Sequence, residues 1–364
     1  MRITRNKIPF VAALGCMLLF MLEAFQIPSP APPKQQRSSV AAVAQAATRV
    51  PAPATATRPA PTLEASPTII PTPTARTAGT PLRVGLHVGH WRTSELPDEL
   101  ARLRTSTGAY VNGLAEVDLN LAIARRVEQL LINQGVIVDV LPATVPPSYD
   151  ADAFVAIHAD GVDGASKRGY KLATPWRTSQ ASRELLEALD VAYGRATGLP
   201  KDDTITVNMR GYYAFNYRRH VHAIARTTPA VILEMGFLTS AADRAIMYGK
   251  ADRVAAGISN GIMRYLQQRD PNNGAALLPP EFPTMRPASE QGAIIRSAPR
   301  ADARIVAKIG PDARLFAFQE KDGWLEVMVR GNGQSRSRVI GWVRKDTLVA
   351  TNDPPPTPMP SSDS

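Results

Sequence analysis

The alternation of apolar and polar positions divides the chain into two folded regions of different texture. In the first region, residues 81–270, four β-rich or continuous apolar runs predict strands, at residues 83–88, 136–141, 153–157 and 230–233. Apolar residues at helical spacing predict three helices, at residues 117–134, 183–193 and 254–266. Gly135 is a natural carboxyl cap for the first helix, and Ser182 is a candidate amino cap for the second. Strands that alternate with helices predict an α/β domain with a mainly parallel sheet flanked by helices.

The second region, residues 285–349, consists of short alternating runs separated by turns. This pattern predicts a small all-β barrel of about 65 residues. Residues 271–284 contain Pro-Asn-Asn-Gly and Leu-Pro-Pro-Glu and are expected to link the two regions.

The remaining segments indicate an exported protein. Residues 1–26 combine a basic start with the uncharged apolar run 8–22, which is typical of a signal peptide and leaves a membrane anchor as the alternative. Residues 27–80 are rich in Pro, Ala and Thr and predict a disordered linker, and residues 350–364 predict a disordered tail. We therefore expect the protein in the cell envelope or outside the cell, with a possible amino-terminal membrane tether.

Charge and cysteine content narrow the possible chemistry. The 42 Lys and Arg residues exceed the 32 Asp and Glu residues, for a net charge of +10, which suits a polyanionic partner such as a bacterial wall or an acidic membrane. Solvated surface charge explains the excess equally well, and no nucleic-acid-binding module accompanies it. The single cysteine, Cys16, lies in the amino-terminal apolar run, so a metal in the folded regions must be held by His and carboxylate side chains.

Four residues occupy the places where an α/β sheet binds ligands. His90 follows the first predicted strand, Glu116 begins the first long helix, and His158 and Glu234 close two buried strands. Because open α/β sheets bind ligands at the carboxyl ends of their strands, these four side chains are expected to converge. Two imidazoles and one carboxylate form a typical catalytic zinc site, and a further carboxylate can move protons. Taken singly, each residue also has an ordinary structural explanation, so the prediction of a zinc hydrolase depends on the set.

The sequences around these residues resemble one family. Gly89-His90, the helix-opening Glu116 in Glu-Val-Asp-Leu-Asn-Leu, His158 in Ala-Ile-His-Ala-Asp and Glu234 in Leu-Glu-Met-Gly-Phe follow in the order found in the zinc-dependent N-acetylmuramoyl-L-alanine amidases of the third amidase family. The chain departs from the family around His90, where Trp91-Arg92 replaces Gly-Gly, and at Asp160, which replaces Asn. These departures affect the rim of the cleft and leave the ligands in place.

The resemblance implies a complete site and a substrate. His90, Glu116 and His158 would bind Zn²⁺, and Glu234 would act as general base and acid. The substrate would be peptidoglycan, cleaved between N-acetylmuramic acid and the L-alanine of the stem peptide. Residues 285–349, with Gly323-Trp324 and Gly341-Trp342-Val343, resemble a bacterial SH3-like domain, which implies binding to the wall.

Other interpretations remain open at the level of sequence. A zinc peptidase that acts elsewhere in the stem peptide and a non-catalytic wall-binding protein are the alternatives. His87 lies on the opposite face of its strand from Val88 and is expected either to orient a ligand or to pack. His220 and His222 could line the cleft, although a surface location is the simpler expectation, and Tyr212-Tyr213 is expected to pack in the core or at the rim.

Overall fold

The first folded region is built on a five-stranded sheet. The computed structural model describes residues 80–161, 167–330 and 338–351. The strands of this region are β1 (Arg83–Val88), β2 (Tyr110–Val111), β3 (Leu114–Ala115), β4 (Ile137–Leu141), β5 (Ala153–Asp160), β6 (Lys171–Ala173) and β7 (Ala230–Phe237). The sheet order is β4-β1-β5-β7-β6, while β2 and β3 form a separate hairpin. The first four strands of that order are parallel, and only β6 runs antiparallel, against β7. The predicted α/β fold is confirmed as a mixed sheet with one antiparallel edge strand.

Helices cover this sheet. They are α1 (Glu116–Ile132), α2 (Gln180–Thr197), α3 (Val207–Arg210), α4 (Ala241–Met247) and α5 (Ala251–Gln268). The three predicted helices correspond to α1, α2 and α5. The expected cap of α2 is wrong, because the Ser179 side chain accepts a hydrogen bond from the backbone N–H of Ser182 and the helix begins three residues earlier. None of the helices in the described part of the chain combines the length and apolarity of a membrane span.

The two faces of the sheet carry different kinds of side chain, because successive strand residues point to opposite faces. One set of alternate positions packs on α1, α2 and α5 and is wholly apolar: Val84, Leu86, Val88, Val155, Ile157, Val231, Leu233 and Met235. The other set faces the connections 141–151 and 207–224 and begins with apolar residues such as Phe154 and Ile232. Farther along the same face lie His158, Asp160 and Glu234. The polar residues of interest therefore share the face that the long helices do not cover.

The second folded region is a seven-stranded antiparallel sheet. Its strands are β8 (Thr284–Pro287), β9 (Ala293–Arg296), β10 (Ile305–Ile309), β11 (Leu315–Lys321), β12 (Trp324–Arg330), β13 (Arg338–Arg344) and β14 (Leu348–Ala350). They follow the order β10-β9-β13-β12-β11-β8-β14 around a core that includes Ile295, Leu315 and Val327. This region consists mostly of strands, as expected, with one short 3-10 helix at Lys345–Thr347, while its similarity to an SH3-like barrel stays a prediction.

Side chains of the two folded regions contact each other in the described part of the chain. The rings of Trp176 and Phe318 stack with centroids 4.8 Å apart. Arg210 donates to Glu326 at 2.7 Å, and its guanidinium lies 4.0 Å from the centre of the Trp176 ring. Both charged groups are largely buried, with 17% and 9% of their side chains exposed. The carboxyl-terminal sheet is therefore attached to the segment that contains α3.

Three predicted segments lie outside the described residues: the amino-terminal signal or anchor, the Pro/Ala/Thr-rich linker except residue 80, and the tail except residues 350 and 351.

Candidate active site

His90, Glu116 and His158 come together from three different elements. His90 stands two residues after β1 with a left-handed backbone (φ 65°), Glu116 is the first residue of α1, and His158 lies within β5. One ligand atom from each residue lies within 4.8 Å of the others, so this trio can hold a metal ion. These three of the four predicted residues therefore lie together, and the expected strand-end positions of His158 and Glu234 are wrong, because both residues lie inside their strands.

The Glu116 carboxylate is held in place by donors on three sides. Its Oε2 accepts the backbone N–H of Ala109 at 2.9 Å, and its Oε1 accepts the backbone N–H of Ala159 and the amide of Asn120, both at 3.1 Å. Burial would raise the pKa of Glu116, but the hydrogen bond with His158 and nearby imidazole charge lower it to about 2. Glu116 is therefore an anion at every physiological pH and a preorganised ligand.

Hydrogen bonds orient both imidazoles toward Glu116. His90 Nδ1 lies 2.8 Å from the carbonyl of Ser106, which leaves its Nε2 facing the carboxylate at 3.4 Å. His158 Nδ1 lies 3.1 Å from Glu116 Oε1, and its Nε2 lies 3.0 Å from the hydroxyl of Tyr212. Although burial lowers the pKa of His158, the hydrogen bond with Glu116 and the charge of Glu234 raise it above the ordinary value. Each imidazole therefore presents one ring nitrogen to the same carboxylate.

Gly89 and Gly108 lack side chains where the side chains of His158, Glu116 and His90 pack against them. A Cβ at Gly89 would lie 2.3–2.5 Å from three ring atoms of His158. Gly108 has a φ of +82°, and a Cβ there would lie 2.7 Å from Glu116 Oε2 and 2.8 Å from His90 Cδ2. A side chain at either position would displace a ligand.

Glu234 lies next to the trio on the neighbouring strand. It pairs with His158 across β5 and β7 and with Lys171 across β7 and β6, and its side chain is partly exposed. Burial raises the pKa of Glu234 to about 8, the charges of Glu116 and Asp160 act in the same direction, and His158 and Lys171 oppose them. A carboxyl group with a pKa near neutrality can both take and release a proton.

Lys171 is an ion-pair partner that the sequence analysis missed. Its ammonium lies 2.5 Å from Asp160 Oδ2 and 3.6 Å from Asp202 Oδ2, and 3% of the side chain is exposed. Because antiparallel partners project to the same face, Lys171 stands beside Glu234. The strand that carries it is only three residues long, so the sequence offers no strand pattern there.

A cleft of about 220 Å³ opens over the two histidines. Besides His90 and His158, its lining includes Arg102, Asn208 and Tyr212. His220 and His222 are not among the lining residues. Instead, His222 Nδ1 lies 2.8 Å from Glu99, and the buried His220 lies beside the same carboxylate.

Comparison with known families identifies the central part of the chain. Residues 86–264, about half of the sequence, match the Amidase_3 family model, described as N-acetylmuramoyl-L-alanine amidase. All four predicted site residues lie within the matched range. No curated protein matches the chain.

Solved structures of three amidases are similar to part of this chain. The catalytic domain of CwlV, an N-acetylmuramoyl-L-alanine amidase from Bacillus (Paenibacillus) polymyxa var. colistinus, is 21% identical over 52% of this chain and 99% of that chain, with a TM-score of 0.36. AmiC2 of Nostoc punctiforme is 22% identical over 51% and 98%, with a TM-score of 0.35. Apo Ami1 from Mycobacterium abscessus is 21% identical over 51% and 98%, with a TM-score of 0.38.

Proposed function

We propose, from the premise that residues 86–264 are an Amidase_3 domain, that this protein is a zinc-dependent N-acetylmuramoyl-L-alanine amidase of peptidoglycan. The reaction is hydrolysis of the amide bond between the lactyl group of N-acetylmuramic acid and L-alanine. The observation that supports it most directly is the trio of two imidazoles and one carboxylate within 4.8 Å, inside the matched domain.

His90, Glu116 and His158 are the ligands in this proposal. Three protein ligands of the His/carboxylate type suit a catalytic zinc, which keeps a further position for water. The orientation described above leaves His90 Nε2 and His158 Nδ1 facing the anionic Glu116. One ligand atom from each residue can therefore bind the same metal ion. When bound, zinc polarises the amide carbonyl and lowers the pKa of its bound water to about 7.

Glu234 is the proton carrier in this proposal. It stands beside His158 across the sheet, where its carboxylate can accept a proton from the attacking water. The protonated carboxyl then returns the proton to the nitrogen of the departing L-alanine, because an amine leaves only when it is protonated. Lys171, paired with Asp160, keeps a positive charge close to Glu234 and limits the rise of its pKa.

We further propose that the rest of the chain delivers this activity to the wall. Residues 1–26 export or anchor the protein, residues 27–80 form a flexible tether, and residues 285–349 act as an SH3-like wall-binding module joined by the linker 271–284. The contact between Arg210 and Glu326 supports a role for the module close to the catalytic half. Binding to the same polymer would raise the effective concentration of cleavable bonds.

Mass spectrometry of purified peptidoglycan digested with the whole protein tests the proposed reaction. Free stem peptides that begin with L-alanine are expected in the presence of zinc, and they should disappear with a chelator and with Glu234→Gln. Peptides cut at another bond would instead establish a zinc peptidase. Intact wall, in a sample where the protein is folded and has bound zinc, would contradict the amidase and favour a wall-binding protein.

A further inference from the structure

A continuous chain of hydrogen bonds runs from His158 away from the trio into the protein. His158 Nε2 lies 3.0 Å from the Tyr212 hydroxyl, which lies 3.3 Å from His87 Nδ1. His87 Nε2 lies 3.1 Å from the Tyr213 hydroxyl, which donates to the carbonyl of Ala143 at 2.6 Å. His87 is fully buried. The hydrogen bonds of this chain join residues that lie far apart in the sequence.

The carbonyl of Ala143 and the neutral ring of His87 together set the directions of the hydrogen bonds in this chain. The carbonyl of Ala143 can only accept, so Tyr213 donates to it and accepts from the Nε2–H of His87. Burial and the neighbouring imidazoles lower the pKa of His87 to about 3, so this ring is neutral and its Nδ1 accepts the Tyr212 proton. The Tyr212 oxygen in turn accepts the Nε2–H of His158. His158 Nδ1, the nitrogen that hydrogen-bonds Glu116, is then the one left to bind a metal.

We infer that Tyr212 and His87 are positioning residues that select the nitrogen through which His158 binds a metal. The inference rests on the proposed metal-binding role of His158. Ligand histidines commonly donate their second N–H to a carboxylate or a backbone carbonyl. Here a tyrosine and a buried neutral histidine replace that acceptor, and a backbone carbonyl terminates the chain.

Packing alone does not account for this arrangement. The Tyr212 ring lies edge-on to both His158 and His87, with centroids 5.3 Å and 5.6 Å away, and phenylalanine would preserve those contacts. The hydroxyl is the only part of Tyr212 that links the two imidazoles. Its removal leaves His158 Nε2 and His87 Nδ1 without this partner, and the His158 ring then loses its preference for one tautomer.

Zinc affinity of the whole protein, measured by competition with a chromogenic chelator, is the first test. Tyr212→Phe should weaken binding 10- to 100-fold, the range typical for such partners. Tyr213→Phe should have a smaller effect, because His87 Nε2 also lies 3.5 Å from the Ala143 carbonyl. Tyr217→Phe, which removes a hydroxyl beside Arg218 in the same connection, should bind zinc as the wild type does. Equal affinity for Tyr212→Phe and wild type would overturn the inference.

Nitrogen-15 NMR of the histidine side chains separates positioning from general loosening. In the zinc-loaded wild type, His158 should carry its proton on Nε2 and bind through Nδ1, whereas Tyr212→Phe should show both forms. His158→Gln assigns the signals. A single Nε2–H form in Tyr212→Phe would refute the inference even if the affinity fell. These readouts do not involve wall cleavage, so a protein that positions zinc as described yet leaves peptidoglycan intact would contradict only the proposed function.

Discussion

Glu234→Gln should stabilise the metal-free protein near neutral pH, although it removes the proposed proton carrier. Burial raises the pKa of Glu234 from 4.5 to about 8. Between these values the unfolded chain has released a proton that the folded protein retains. The folded state therefore binds more protons, and the free energy of unfolding decreases as the pH rises from 4.5 to 8. Because glutamine does not ionise, the free energy of unfolding of Glu234→Gln does not decrease with pH for this reason.

The expected magnitude follows from the same values. Each pH unit in this range lowers the free energy of unfolding by about 1.4 kcal/mol, which gives about 3 kcal/mol at pH 7. Solvent at the cleft screens part of this effect, because the side chain is partly exposed, so we expect about 2–3 kcal/mol. The free energy of unfolding of Glu234→Gln should exceed that of the wild type by less than about 1 kcal/mol at pH 5. At pH 9 this difference should be larger than at pH 7.

Urea unfolding of the chelator-treated protein at these three pH values measures the effect. Glu187→Gln, on the exposed side of α2, is the matched control and should change stability by less than about 0.5 kcal/mol. The reasoning is refuted if Glu234→Gln differs from wild type by the same amount at every pH, or if its advantage grows as the pH falls.

Three further substitutions test separate parts of the site. Gly89→Ala should abolish measurable zinc binding, because its Cβ overlaps the ring of His158; calorimetry that finds wild-type affinity would contradict the described packing. Arg102→Gln should raise KM several-fold for stem peptides with a free α-carboxylate on the second residue, and it should leave KM unchanged when that group is an amide, because Arg102 is the cationic side chain of the cleft wall. Lys171→Met should destabilise the fold by roughly 2–3 kcal/mol by leaving Asp160 unpaired, and adding Asp160→Asn should restore most of that loss in a double-mutant cycle.

The sequence predicted the strands that carry the site because their apolar runs are long and continuous. Burial on both faces makes residues 153–157 and 230–233 wholly apolar, so the following His158 and Glu234 stand out as exceptions. Glu116 was recognisable because it opens a long amphipathic helix. Asn120, one helical turn later, carries the same kind of information and could have been found from its spacing.

The supporting residues were not predictable from local pattern. β6 is a three-residue edge strand. From the sequence alone Lys171 would be predicted to lie on the surface, because its pairing with Asp160 is a tertiary contact. Tyr212 reaches His158 from 54 positions away through an irregular connection. His220 and His222 show the converse: a surface location was the simpler expectation, but His220 is buried 3.8 Å from Glu99, and His222 hydrogen-bonds the same carboxylate from 123 positions away. Such pairings depend on tertiary contacts that periodicity does not encode.

The attachment of the carboxyl-terminal sheet limits how freely the protein can be divided into modules. Arg210 contacts Glu326 of that sheet, and Tyr212, two residues later, contacts His158. A truncation at the linker 271–284 would leave Arg210 without Glu326 and Trp176 without Phe318, next to the connection that contains Tyr212. Exchanging the carboxyl-terminal sheet for an unrelated domain therefore requires the surface formed by Phe318 and Glu326 to be transplanted with it, since a flexible fusion would lose the contacts with Trp176 and Arg210.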